Sequence, residues 1–85
     1  MAKITMYRTE WCPFCQRAEQ LLQRKGITQL TMIDIDREPA EREAMIARTG
    51  QSSVPQVFIG NTHVGGYDDL STLDRDGRLD RLLAQ

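Results

Sequence analysis

The stretch that decides the fold is Lys3–Ile35, KITMYRTEWCPFCQRAEQLLQRKGITQLTMIDI, in which a strand pattern, a helical pattern and a second strand pattern follow one another. Lys3–Arg8 carries Ile4, Met6 and Tyr7 in a short β-prone run. From Pro13 the apolar residues Phe14, Ala18, Leu21 and Leu22 fall on one side of a helix, which Gly26 ends. Leu30–Ile35 is again strand-like. Strand, helix, strand over this length predicts a right-handed parallel crossover.

Outward from this unit, Pro39 suits a first helical turn. Ala40, Ala44, Met45 and Ala47 then form a weaker apolar stripe, stopped by Gly50. Gln56–Ile59 and Thr62–Val64 flank Gly60-Asn61, a dipeptide fitted to a two-residue hairpin turn. After Gly65-Gly66, the pair Asp68-Asp69 reads as a helix start with Leu70 and Leu73 facing inward, and Leu79, Leu82 and Leu83 suggest a last short turn. The predicted order is βαβαββα.

The chain has 85 residues, enough for one domain over residues 1–85 and one modest core. Its 11 Lys and Arg against 12 Asp and Glu leave a net charge of -1, with the signs interspersed. That balance argues against nucleic-acid binding. No apolar run approaches the roughly 20 residues of a membrane span, and the first residues do not resemble a signal peptide, so a cytoplasmic protein is expected.

The two cysteines, Cys12 and Cys15, carry the chemistry. A bridge between them would close too short a loop to stabilise the chain appreciably. A zinc site wants four Cys or His, and beyond this pair the chain offers only His63, in the predicted hairpin, so no metal is expected. A close cysteine pair in a reducing compartment therefore reads as redox-active. Pro13 at the first helical position makes Cys12 the N-cap, where free backbone N–H groups and the positive end of the helix dipole favour an anion. Thiols so placed titrate at roughly 3.5 to 7.5 rather than about 8.5, so Cys12 should attack as a ready thiolate. Cys15 shares its helix face with Ala18 and Leu22, which turns it inward, one turn from the Cys12 sulfur. Cys12 is assigned as nucleophile and Cys15 as the resolving thiol. Arg8 could add positive potential, opposed by Glu10.

Trp11-Cys12-Pro13-Phe14-Cys15 resembles the glutaredoxin active site, usually Cys-Pro-Tyr-Cys. Ser53-Val54-Pro55 resembles that family's Thr-Val-Pro segment, and Gly65-Gly66-Tyr67-Asp68-Asp69 its Gly-Gly-x-x-Asp motif. Three motifs in order, spanning nearly the whole chain, make the sequence similar to the short bacterial dithiol glutaredoxins. The resemblance implies an α/β thioredoxin-like fold, a four-stranded mixed sheet with helices on both faces. It also implies glutathione as cosubstrate, and disulfide-containing or glutathionylated proteins as partners of a monomer. By the same resemblance Pro55 would be a cis-proline opposite the active site, and the Val54 backbone would pair with the cysteinyl unit of glutathione. Asp68 and Asp69, at the helix start, would receive its γ-glutamyl end, and Gly66 and Tyr67 before them are counted among the glutathione-binding residues. Phe14, beside the nucleophile, would help wall the groove, and Ser53 would belong to the glutathione-binding residues with Val54 and Pro55.

The sequence departs from the family at three places. Thr9 stands where a lysine usually meets the glycine carboxylate of glutathione, leaving Arg42, in the second helix, or Arg8 to take that contact. Ser53 replaces the usual Thr, and Tyr67 stands where relatives often have a third cysteine. Two rival functions follow from the same residues. One is a thioredoxin-like redoxin recharged by a flavoprotein reductase, hinted at by Trp11. The other is an iron-sulfur carrier in which two chains share a cluster through Cys12 and glutathione; Pro13 argues against it, because cluster-binding relatives have a small residue there.

Overall fold

The structure, a computed structural model, describes residues 3–84. Its elements are β1 (Ile4–Arg8), α1 (Pro13–Arg24), β2 (Leu30–Asp34), α2 (Pro39–Thr49), β3 (Gln56–Ile59), β4 (Thr62–Gly65), α3 (Tyr67–Arg75) and α4 (Arg78–Leu83). The four strands form one sheet in the order β2-β1-β3-β4. β1 runs parallel to β2 and antiparallel to β3, which is hairpinned to β4. This is the thioredoxin-like arrangement expected from the sequence.

The central strands are buried on both faces, so their apolar residues run nearly without a break. On one face Ile4, Met6, Val57 and Ile59 pack with Ala18, Leu21 and Leu22 of α1 and with Leu70, Leu79 and Leu83 of α3 and α4. On the other face Tyr7 and Phe58 meet Ile35, just past β2, and Met45 of α2. The second cluster is small because α2 buries only Met45. Polar contacts complete that layer: the Arg48 guanidinium lies 4.0 Å from the Phe58 ring centroid and donates to the Tyr7 hydroxyl at 2.9 Å.

Several boundaries shift from the sequence reading. β2 ends at Asp34, although the Ile35 N–H still donates to the Arg8 carbonyl at 2.9 Å. β4 gains Gly65, facing Val57 across a bulge. The helix expected to start at Asp68-Asp69 starts at Tyr67, with Gly66 as N-cap; Asp69 therefore sits in its first turn and accepts the Gly66 N–H at 3.1 Å. The last short turn is a six-residue helix of its own, α4, separated from α3 by Gly77 at φ 82°. A left-handed φ is the conformation that glycine adopts without steric cost.

Candidate active site

Cys12 caps α1 from an extended backbone, φ -115° and ψ 104°, and the Cys15 N–H donates to its sulfur at 3.1 Å. The site is formed this way because Pro13 fixes the first helical φ and has no N–H to satisfy. The two cysteines are disulfide-bonded, with Cα atoms 5.1 Å apart, so the structure is that of the oxidised protein. Cys12 is 8% exposed and Cys15 2%. Cys15 is thus the more deeply buried of the two, and Cys12 too is largely covered in the bridged form.

A cleft of about 370 Å³ opens beside the pair. Phe14 from α1, Ser53, Val54 and Pro55 from the loop before β3, and Gly66, Tyr67, Asp68 and Asp69 from the start of α3 all line it. The Val54–Pro55 peptide bond is cis, and the Val54 carbonyl oxygen lies 3.8 Å from the Cys12 sulfur. Phe14, half exposed, and Tyr67 approach with ring centroids 6.2 Å apart, forming one wall. Gly65 has φ 114°, and a Cβ there would strike the Asp69 carboxylate. The first glycine of the pair is thus required by the fold, whereas a Cβ on Gly66 would meet only the Pro55 carbonyl at an ordinary 3.5 Å.

The two cationic candidates separate. Arg8 is engaged: its Nε donates to Asp34 at 2.7 Å and its Nη1 lies 3.7 Å from Glu19. Glu10, expected to oppose it, instead pairs with Arg37 at 3.3 Å. Arg42 lies on the exposed face of α2, outside the cleft lining, with no ion pair among the described residues. Trp11, next to Cys12, is 87% exposed.

The sequence reading missed Gln51, Gln56, His63 and Val64, which also line the cleft. From the sequence His63 reads only as an isolated potential metal ligand. For Gln56 a signal existed, a polar side chain in the otherwise apolar run Gln-Val-Phe-Ile. No group of three or more metal-ligating side chains is gathered among the described residues, and no helix there is long and apolar enough to cross a membrane.

Comparison with known proteins agrees with this geometry. The family model for glutaredoxin matches residues 4–64. A Pseudomonas aeruginosa glutaredoxin is 49% identical over 84 residues, covering 99% of each chain. Glutaredoxin 3 of Escherichia coli is 48% identical over 83 residues, covering 98% of this chain and 99% of the relative. Among solved structures, a buckwheat glutaredoxin-glutathione complex superposes with a TM-score of 0.89 at 32% identity, over 98% of this chain and 77% of the other. With its dithiol at a helix N-terminus, its cis-proline loop and relatives matched almost end to end, the chain belongs to the glutaredoxin family of thiol-disulfide oxidoreductases.

Proposed function

We propose that this protein uses glutathione to reduce protein disulfides and glutathione mixed disulfides through Cys12 and Cys15, acting as a monomeric single domain in the cytoplasm. The observation that carries the reading is a cleft lined by Phe14, Tyr67, Val54 and the start of α3, whose Val54 carbonyl lies 3.8 Å from the Cys12 sulfur. Its aromatic walls and polar far end suit an extended tripeptide thiol.

On a glutathionylated protein, the Cys12 thiolate attacks the glutathione sulfur. A Cys12–glutathione disulfide forms as the old S–S bond breaks, and the protein leaves as a thiolate that takes a proton from solvent. A second glutathione thiolate then attacks the bound glutathione sulfur, releasing glutathione disulfide and the Cys12 thiolate. On a protein disulfide, Cys12 forms a mixed disulfide with one substrate sulfur. Cys15, after losing its proton, attacks the Cys12 sulfur, closing the Cys12–Cys15 bridge and expelling the reduced substrate. Two glutathione molecules reopen the bridge and leave as glutathione disulfide.

In this reading the Val54 backbone pairs with the cysteinyl unit, and Phe14 and Tyr67 flank it. Ser53, Pro55 and Gly66 shape the floor. The N–H groups at the start of α3 receive the γ-glutamyl carboxylate, and Asp68 or the free oxygen of Asp69 its ammonium. Arg42 is assigned to the glycine carboxylate, because Arg8 is already committed to Asp34 and Glu19. The test is a coupled assay on a glutathione mixed disulfide, recharged either by glutathione with glutathione reductase or by thioredoxin reductase. Turnover with the first system alone is expected; turnover only with the second would overturn the proposal.

A further inference from the structure

Gln56 is the one polar residue counted among the buried side chains of the described residues, 3% exposed, on β3 directly after Pro55. Strand pairing asks nothing of its side chain, and a buried amide is costly unless both ends are bonded. Both ends are. Its Nε2 donates to the Ser53 carbonyl at 3.0 Å and approaches the Ser53 hydroxyl at 3.4 Å, and its Oε1 lies 2.8 Å from His63 Nε2. With the amide nitrogen spent on Ser53, the oxygen faces the imidazole, so His63 Nε2 carries the hydrogen and donates. His63 is itself held in place: it is paired in register with Phe58 across the hairpin, and the two rings lie 5.0 Å apart.

The result is a side-chain relay from β4 through β3 to the loop before it, independent of the backbone ladder. Its end point, Ser53, precedes Val54, whose carbonyl lies 3.8 Å from the Cys12 sulfur. We propose that Gln56, oriented by His63, is a positioning residue that holds Ser53–Val54–Pro55 at the depth where the Val54 backbone meets the sulfur-bearing residue delivered to Cys12. This deepens the glutathione reading and rests on it. An alternative role, filling core volume, would be served equally well by an apolar side chain of similar size.

The experiment compares Gln56→Leu, Gln56→Glu, His63→Phe and the Gln56→Leu/His63→Phe double variant, each checked for folding by thermal unfolding. Leu removes both hydrogen bonds; Glu keeps an acceptor for His63 but presents oxygen to the Ser53 carbonyl. Each Gln56 variant is expected to raise KM for a glutathione mixed disulfide about tenfold and His63→Phe about threefold. The double variant should be no worse than Gln56→Leu, because a relay is broken once. Alkylation of reduced Cys12 by iodoacetamide should stay within about twofold of wild type, since its anion is stabilised from α1. A folded Gln56→Leu with wild-type KM, or additive losses in the double variant, would overturn the proposal. Should the Gln56 variants fail to fold, the exposed His63 carries the test, and an unchanged KM in His63→Phe would refute it. If the wild type does not turn over with glutathione, the functional reading fails instead. The positioning role is then read from the NMR chemical shift of the Val54 amide, which must move in His63→Phe or the inference falls too.

Discussion

Replacing Cys15 by serine removes the internal thiol while keeping the backbone N–H that donates to the Cys12 sulfur at 3.1 Å. The nucleophile should therefore keep its reactivity, and the two proposed reactions should part. A glutathione mixed disulfide on Cys12 is cleared by a second glutathione, so deglutathionylation should stay within about twofold of wild type. A mixed disulfide with a protein substrate is cleared by the neighbouring thiol. The Cα atoms of the pair lie 5.1 Å apart, inside the usual range for a bridge, so no backbone movement is needed for that attack. Aligned intramolecular reactions reach effective molarities of roughly 10⁵ M or more, against millimolar external thiol. The advantage lost is thus many orders of magnitude in the resolving step, and we expect at least a hundredfold fall in protein-disulfide reduction once another step ceases to limit. The serine hydroxyl at a site 2% exposed can bond within its own helix, so folding should survive with a loss of about 1–2 kcal/mol. The assay pairs reduction of a disulfide-bonded protein with turnover of a glutathionylated one, at equal glutathione. Equal loss of both activities in Cys15→Ser, or activity surviving in Cys12→Ser, would refute the division of labour.

Arg42→Ala should raise KM for glutathione several-fold with iodoacetamide alkylation of Cys12 unchanged, while Arg8→Ala, paired as it is with Asp34 and Glu19, should leave KM alone; steady-state kinetics of both variants decide between the two cations. Leu22→Ala empties a fully buried site where α1 meets the sheet and should cost about 2–5 kcal/mol, a large share of the stability of so small a domain; a urea midpoint implying under about 1 kcal/mol would contradict the packing. Lys25 joins α1 to α3 and α4 through Asp74 at 2.6 Å and Asp80 at 3.1 Å, and hydrogen bonds to these carboxylates raise its pKa above the ordinary 10.5. A raised value means the pair stabilises the fold fully below pH 10.5 and is lost as pH rises through the folded-state pKa. Lys25→Met should therefore melt slightly below wild type at pH 7, and the gap should narrow in strong alkali; a gap that grows with pH would be inconsistent with the pairing.

Much of this molecule was legible from local pattern because its local signals agree with its global fold. Pro13 and Gly26 bracket α1, Gly60-Asn61 marks the hairpin, and Cys12 falls at the N-cap because proline's geometry dictates the residue before it. The order of the elements and the placing of Cys12 and Cys15 on α1 follow from such neighbours. What escaped depends on residues distant in sequence but brought together by the sheet. The Asp68-Asp69 pair suggested a cap, yet Gly66 took that place, because Gly65 must turn at positive φ to bring α3 back over the cleft. The rival cations could not be ranked until β2 brought Asp34 beside Arg8. Gln56 and His63 are separated by a hairpin turn, and neither side chain signals its bond to the other. Capping, turns and apolar periodicity act over a few residues and can be read along the chain, whereas ion-pair choice, cleft lining and the bonding of a buried amide are set across strands, where only folding brings the partners together.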